Sequence, residues 1–159
     1  MKKIYLLCGI PGSGKSTWAK NHLDNNSIWI SRDLIRFSMV SEREGYFSKE
    51  KEVFKEFIRQ INVAIKNNNI ENIYIDATHV NEVSRHKTLS KIAIKDADEL
   101  NIVYFNIPLK TCISRNANRL GRECVPEIAI INMYKNFTHP EKDTKYTYSN
   151  IYEIGEQNK

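Results

Sequence analysis

Cysteine is scarce in this chain, and long apolar stretches are absent. Only three cysteines occur among 159 residues, and their positions show no metal-ligand spacing. Three cysteines cannot pair fully, which argues against a disulfide framework and favours a reducing, cytoplasmic environment. No apolar run approaches the roughly 20 residues that a membrane-spanning helix needs. With no repeats and no linker either, we expect residues 1–159 to form one domain without membrane association.

Two signatures of other protein classes are missing or misplaced. The chain has no Asn-Lys-x-Asp guanine-recognition motif, which argues against a GTPase switch. Asp96-Ala97-Asp98 has the D-x-D spacing of aspartate-nucleophile phosphatases, but it lies near the end of a predicted helix instead of directly after a buried strand. We interpret it as a charged surface. The net charge of +5 favours anionic ligands, either a nucleotide or a nucleic acid.

A phosphate-binding loop is the strongest motif that the sequence does contain. The segment from Gly9 to Ser16 fits G-x-x-x-x-G-K-[ST] at every fixed position, between an apolar run at 4–8 and a predicted helix from Ser16. Glycines let successive backbone N–H groups turn toward phosphate oxygens, and the helix adds its positive N-terminal end. In this motif the lysine reaches the β- and γ-phosphates, and the serine hydroxyl binds Mg²⁺. The predicted ATP-binding residues of the loop are Gly9, Gly12, Ser13, Gly14, Lys15, Ser16 and Thr17.

Strands and helices are predicted to alternate along the rest of the chain. Short apolar runs at 28–30, 73–75 and 102–105 predict strands, and a last short strand is expected at 150–154. Apolar residues at helical spacing predict helices at 48–66 and 81–98, and Pro108 and Pro126 each mark the start of another. This order predicts an α/β fold with a parallel sheet covered by helices on both faces. In such sheets ligands bind at the carboxyl ends of the strands.

Polar residues follow each predicted strand at the end where the ligand should lie. Asp33 follows the second strand and is placed to accept a proton from an attacking hydroxyl, with Arg36 one turn further on. Asp76 follows the third strand and could order Mg²⁺ together with Ser16. The spacings of Arg115, Arg119 and Arg122 predict one helical stripe that could neutralise transferring phosphate. Each has an ordinary alternative: a helix-dipole contact for Asp33, and a solvated surface for the arginines.

Taken together, four segments resemble the kinase module of phage and bacterial 5′-polynucleotide kinases, over roughly residues 1–137. They are "GIPGSGKSTWA" at 9–19, "SRDLIR" at 31–36, "DATHVNEVSR" at 76–85 and "RNANRLGRECVP" at 115–126. The resemblance implies an adenylate-kinase-like sheet with an arginine-bearing lid, and ATP and Mg²⁺ as cofactors. It implies Asp33 as general base, Arg36 as a contact to the acceptor and the transferring phosphate, and Arg119 as a lid residue on ATP. The implied substrate is a nucleic acid with a 5′-hydroxyl end, with Arg32 as a further basic contact to it.

The sequence departs from that family at two places. The phage enzyme has its third-strand carboxylate directly before the threonine, whereas here Ala77 holds that place and Asp76 lies one residue earlier. Family members often have asparagine at the position of His79, which we interpret, like His86, as a surface or packing residue. Larger members carry a phosphatase or ligase domain, for which this chain has no room.

Two other functions remain open from the residues alone. The same loop, Asp33 and Asp76 would suit a kinase for a nucleoside, sugar or antibiotic. A nucleotide-binding module without an acceptor is also compatible with the loop, although Asp33 and Arg36 would then be idle. The sequence does not decide between DNA and RNA as acceptor.

Overall fold

A computed structural model describes residues 1–156, apart from the side chain of Arg122. Its centre is a five-stranded sheet with the order β2-β3-β1-β4-β5, and every neighbouring pair is parallel. The strands are β1 (Lys3–Cys8), β2 (Ser27–Ser31), β3 (Asn72–Asp76), β4 (Glu99–Asn106) and β5 (Asn150–Gly155). The prediction of an α/β fold with a parallel sheet is therefore confirmed. Within the described residues, no helix is long and apolar enough to cross a membrane.

Six α-helices of the described chain cover the two faces of this sheet. They are α1 (Lys15–His22), α2 (Arg32–Met39), α3 (Glu50–Lys66), α4 (Glu82–Leu89), α5 (Leu109–Ala117) and α6 (Glu127–Lys135). Residues from α2, α3 and α4 pack in one buried cluster with Ile4, Leu6 and Cys8 of β1. Residues from α1, α5 and α6 pack on the opposite face, around Leu7 of β1. The alternation of buried faces along β1 thus produces two core layers.

The long helix α3 shows how closely the apolar pattern predicts an element. Its buried residues recur at three- and four-residue spacing, which places them on one stripe against the sheet. They are Val53, Phe57, Ile61, Ala64 and Ile65. The helix begins at Glu50 instead of Ser48, so Glu50 lies in its first turn.

The helix predicted at 81–98 is wrong in its second half. It ends at Leu89, and a turn-rich segment leads from there to β4. Side chains satisfy this segment's backbone: Asn62 accepts from Ala93 N at 2.8 Å, and Asp98 accepts from Lys2 N and Lys95 N, each at 2.9 Å. These bonds replace helical ones, so the Asp96–Asp98 stretch lies in a turn instead of on a helix.

The segment between α6 and β5 is fastened to the domain by a buried ion pair. Arg85 of α4 is fully buried, and its Nε and Nη2 atoms donate to the Asp143 carboxylate at 2.7 and 2.8 Å. Arg85 also donates to the carbonyl oxygens of His79 and Thr138 at 2.9 and 3.1 Å. The Tyr148 hydroxyl donates to Asp143 at 2.6 Å. Both charges are therefore surrounded by hydrogen-bond partners, which a buried pair requires.

Candidate active site

The loop between β1 and α1 is shaped by glycines and held by backbone contacts. Gly12 and Gly14 have φ angles of 85° and 96°, which favour glycine strongly. A Cβ on Gly12 would come within 2.4 Å of the carbonyl oxygen of Cys112 in α5. The Gly9 N–H donates to Thr78 O at 2.9 Å, which ties the loop to the end of β3. The strand, loop and helix that the phosphate-binding motif requires are all present in this order.

Lys15 and Ser16 begin α1 and face the ends of the central strands. The Lys15 ammonium donates to Ile10 O at 3.2 Å across the loop. Burial lowers the pKa of Lys15, an effect opposed by the carboxylates of Asp76 and Asp33. The two aspartates therefore help to keep this lysine charged for an anionic ligand.

A serine hydroxyl and a buried carboxylate meet beside the loop. Ser16 Oγ donates to Asp76 Oδ2 at 2.8 Å, and Trp29 Nε1 donates to the same oxygen at 2.9 Å. Oxygen ligands of this kind suit Mg²⁺, which usually binds proteins through one or two such groups and completes its shell with phosphates and water. No cluster of three or more His, Cys, Asp or Glu side chains capable of holding a metal occurs in the described part of the chain. The residues present therefore fit a nucleotide-bound magnesium.

A network of charged side chains forms the wall opposite Lys15. Arg36 of α2 donates to Glu50 through Nε at 2.6 Å and Nη2 at 2.9 Å, and its Nη1 bonds Asp33. The Tyr46 hydroxyl donates to Asp33 Oδ1 at 3.1 Å, and Arg32 Nη2 donates to Glu50 at 3.1 Å. We call these five residues the Asp33 network. The Asp33 side chain stays 52% exposed, whereas that of Arg36 is only 7% exposed. Asp33 is therefore held in place but remains accessible from the cleft.

Burial and ion pairing keep Arg36 and Glu50 charged and keep the Tyr46 hydroxyl neutral. Burial opposes the charge on Arg36, but its bonded and charged partners, Glu50 foremost and Asp33 among them, together outweigh that effect and raise its pKa above the usual range. Desolvation likewise opposes the charge on Glu50, yet the arginines lower its pKa overall. Burial and the nearby Asp33 charge raise the pKa of Tyr46, so its hydroxyl stays protonated and can donate to Asp33.

Neither Glu50 nor Tyr46 is predicted from the sequence as a partner of Asp33 or of the arginines. Both lie between "SRDLIR" and the apolar part of α3, in a stretch without a motif. No local sequence pattern signals this contact, because Glu50 meets the arginines only where the start of α3 packs beside α2. The ordinary surface alternative for Arg36 is excluded by its burial and its four hydrogen bonds.

The predicted stripe of three arginines is wrong as a feature of one helix. Arg115 lies in α5 and donates to Gly12 O at 3.3 Å, but α5 ends at Ala117, so Arg119 lies in the following loop. The chain turns there because the Asn116 amide makes two bonds to Val125, at 2.7 Å to its carbonyl and 2.9 Å from its N–H. The Arg122 side chain lies outside the described residues. Arg115 thus contacts the loop from α5, and Arg119 borders the cavities at the loop from the segment that follows α5.

Two cavities meet at the phosphate-binding loop. The first, of about 270 Å³, is bordered by Lys15, Ser16, Asp76, Arg119 and the Asp33 network. The second, of about 560 Å³, lies on the other side of the loop against Trp18, Phe105 and Arg115. Arg119 borders both cavities. The arrangement therefore offers room for two ligands that would meet at the loop, with one arginine between them.

His79 is bonded to β1 just before the loop and borders neither of these two cavities. It is 3% exposed, with Nδ1 bonded to Leu7 O at 2.8 Å and Nε2 bonded to Thr88 Oγ1 at 2.9 Å. Burial lowers the pKa of His79 to about 3, so the ring is neutral, with Nδ1–H as donor and Nε2 as acceptor. Its φ of 41° is in the left-handed region, which asparagine adopts more often than most other residues. Of the two alternatives given for His79, a surface or a packing residue, the structure shows a packing residue.

The sheet order, the loop after β1 and the residues at the strand ends define an adenylate-kinase-like P-loop fold. The chain belongs to the AAA domain family (AAA_33), whose sequence pattern matches residues 4–140. It is similar to adenylate kinase of Wolinella succinogenes, with 31% identity over 108 residues. That match covers 62% of this chain and 57% of the relative, so the chain spans little more than half of the relative's length.

Solved structures share the fold at low sequence identity. A chain in the Pnkp1/Rnl/Hen1 RNA repair complex has a TM-score of 0.69 and 23% identity, over 85% of this chain and 43% of that chain. A fungal RNA kinase has a TM-score of 0.66 and 12% identity, over 96% and 73% of the two chains. A sugar kinase from Janibacter sp. HTCC2649 has a TM-score of 0.64 and 13% identity, over 98% and 86%. These likenesses concern the fold alone.

Proposed function

We propose that this protein is an ATP-dependent kinase that transfers the γ-phosphoryl group to the 5′-hydroxyl end of a nucleic acid. The observation that carries the proposal is the accessible carboxylate of Asp33, held by Arg36 and Tyr46 in the same cleft as Lys15. A carboxylate opposite a phosphate-binding loop suits a phosphoryl donor and a hydroxyl acceptor that meet between them.

On the donor side, the triphosphate would lie along the loop. Backbone N–H groups from Gly12 to Thr17 and the Lys15 ammonium would bind the phosphate oxygens. Ser16 and Asp76 would hold Mg²⁺, which screens the phosphate charge. The second cavity, against Trp18 and Phe105, would hold the nucleoside of ATP. This side of the proposal is shared by every kinase on this scaffold.

On the acceptor side, Asp33 would accept the proton of the attacking hydroxyl. The acceptor oxygen then forms a bond to the γ-phosphorus while the bond to the β-bridging oxygen breaks, and ADP leaves with the pair of electrons. Arg119 borders both cavities and would neutralise charge on the group in transfer. Arg36 fixes Asp33, and we assign it a contact to the acceptor as well.

Three observations favour a nucleic acid as acceptor. The segments "SRDLIR" and "RNANRLGRECVP" resemble those of 5′-polynucleotide kinases. Two of the solved structures with the same fold are an RNA repair complex and an RNA kinase. Arg32 and Arg36 border the cleft beside Asp33, where a phosphate next to the acceptor hydroxyl would lie.

A small-molecule acceptor is the second candidate, favoured by the modest cleft of about 270 Å³. That volume is near the lower end of ordinary ligand pockets. The sequence identity to an adenylate kinase and the fold shared with a sugar kinase are compatible with this alternative. Its chemistry would use the same Asp33 and Lys15.

The two candidates differ in how they rank acceptors. Transfer of label from γ-labelled ATP should be measured for 5′-hydroxyl DNA and RNA oligonucleotides, nucleoside 3′-phosphates, bare nucleosides, nucleoside monophosphates and sugars. We expect the oligonucleotides and nucleoside 3′-phosphates to exceed the bare nucleosides by a wide margin in kcat/KM. Equal or better rates with a sugar, a nucleoside or a nucleoside monophosphate would establish the small-molecule alternative instead.

A further inference from the structure

A half-buried aromatic ring beside the cleft is flanked by two cations. The guanidinium carbon of Arg32 lies 5.2 Å from the ring centroid of Phe54, and the Lys87 ammonium lies 4.6 Å from it. Cations are attracted to aromatic faces at such distances. Three elements contribute here: α2 provides Arg32, α3 provides Phe54 and α4 provides Lys87.

Two further lysines extend this group along α3. Lys51 and Lys55 are four residues apart, so they lie on one face of the helix, and Phe54 lies next to that face. Both lysines are exposed. We call Arg32, Lys51, Phe54, Lys55 and Lys87 the Phe54 strip.

The lysines of the Phe54 strip are not neutralised by the protein. Among the ion pairs of the described residues, none involves Lys51, Lys55 or Lys87, whereas Glu56 on another face of α3 is paired with Arg59 at 2.6 Å. Arg32 has one partner, Glu50, and its buried Nε atom lacks a hydrogen-bond acceptor. The three exposed lysines therefore give the strip unpaired positive charge, whereas the unbonded Nε of Arg32 is buried and not open to an outside anion.

The strip is continuous with the cleft. Arg32 borders the same cavity as Lys15 and Asp33, so the basic surface begins at the acceptor wall and runs outward over α3 and α4. A small acceptor would fill the cleft without reaching Lys51 or Lys55. An acceptor with a chain of phosphates would leave the cleft across this surface.

We propose that the Phe54 strip binds backbone phosphates of the acceptor strand beyond its terminal nucleotide. The proposal rests on the proposed polynucleotide kinase function and deepens it, because it assigns an exit path for the strand. Lysine ammonium groups act as mobile point charges, which suits phosphates whose positions differ from one sequence to another. Binding of this kind depends on salt and not on base sequence.

The test compares two triple variants that lose the same charge. The strip variant removes the lysines flanking Phe54, and the control variant removes exposed lysines elsewhere on the surface. The strip variant is Lys51→Ala, Lys55→Ala and Lys87→Ala; the control variant is Lys66→Ala, Lys95→Ala and Lys135→Ala. Each is assayed with a nucleoside 3′-phosphate and with a 5′-hydroxyl oligonucleotide, and oligonucleotide binding is measured without ATP by fluorescence anisotropy at several salt concentrations.

For the strip variant we expect the KM for the oligonucleotide to rise about tenfold, since each exposed charge contact contributes a factor of about two. Its kcat, and both constants for the nucleoside 3′-phosphate, should stay unchanged. The slope of log Kd against log salt should fall by about 2, at about 0.7 per phosphate. The control variant should behave as the wild type.

Each other outcome has a defined meaning. Equal effects on the two acceptors, equal effects of the two triple variants, or no effect on the oligonucleotide would overturn the strip as a strand-binding surface. If the wild-type protein phosphorylates neither acceptor, the proposed function fails. In that case the anisotropy series still decides whether the strip binds nucleic acid: loss of oligonucleotide binding in the strip variant alone would support such a surface, and equal binding by the two variants would overturn it.

Discussion

The two walls of the cleft are built by different parts of the chain. The phosphate-binding loop is shaped by backbone: Gly12 and Gly14 at positive φ, a hydrogen bond from Gly9 N to Thr78 O, and close packing on α5. The Asp33 network is shaped by side chains, with Glu50 joining two arginines that lie far from it in sequence. A backbone wall suits phosphates, which every donor nucleotide carries. A side-chain wall can be altered by single substitutions, so under the proposed function acceptor specificity can change there without loss of the fold.

The largest expected effect comes from Lys15, the lysine of the loop that would contact the β- and γ-phosphates. Lys15→Ala should abolish phosphoryl transfer while the melting temperature stays near that of the wild type, because within the described residues the Lys15 side chain makes a single hydrogen bond, to Ile10 O. Label transfer from ATP and thermal unfolding measure the two properties. Lys20→Ala, an exposed lysine later in α1, is the matched control and should keep full activity. Near-normal turnover by Lys15→Ala would show that the loop is not the donor site.

On the acceptor wall, Asp33→Asn should lower kcat by about 10²- to 10⁴-fold, the usual contribution of a positioned general base. The amide keeps the shape and the accessible position of the side chain but cannot accept the proton. ATP affinity, measured by calorimetry, should change little because Asp33 lies opposite the loop. An unchanged kcat together with weakened ATP binding would move Asp33 from the acceptor side to the donor side.

The next effect tests whether the side-chain wall works as a unit. Glu50→Gln leaves Arg36 and Arg32 without their shared carboxylate, so Asp33 should lose its fixed position and kcat should fall by up to about 10²-fold. The KM for ATP should stay constant. Glu56→Gln removes another glutamate–arginine pair of α3 and should have no kinetic effect. Equal kinetics of the two variants would mean that Glu50 has no positioning role.

The smallest expected effect concerns stability and comes from His79, which is buried against β1. Burial holds the pKa of His79 at about 3, whereas the unfolded chain has the ordinary value near 6.5. Between these values the unfolded state binds a proton that the folded state does not, so His79 makes the protein less stable as the pH falls from about 6.5 toward 3. His79→Asn removes this contribution. In urea titrations, the free energy of unfolding should fall less between pH 7 and pH 5 for the variant than for the wild type, and parallel losses would refute the assignment.

The same contrast between the walls explains what could be predicted from sequence. The loop is encoded by contiguous residues with fixed spacing, and the parallel sheet follows from the apolar runs at the positions of β1 to β5. Asp33, Arg36 and Asp76 could be placed at the ligand edge because each directly follows a strand or lies one turn into the next helix. Glu50 could not be found, because its partners belong to a helix whose packing angle against α3 no local pattern specifies. The end of α4 was missed for a related reason: the residues that bond the 90–98 segment, Asn62 and Lys2, are distant in sequence.

The buried pair of Arg85 and Asp143 has a consequence for where the chain can be cut. The family pattern ends at residue 140, but the carboxylate that neutralises Arg85 and the whole of β5 lie after that point. Deleting everything beyond 140 would remove the counter-charge of Arg85, which is fully buried in the intact chain, and breaking a buried pair in this way costs about 3–5 kcal/mol. It would also expose the edge of β4. Because domains are stable by only about 5–15 kcal/mol, a fragment trimmed to the family boundary should be insoluble or unfolded, and recombinant fragments should extend through Gly155.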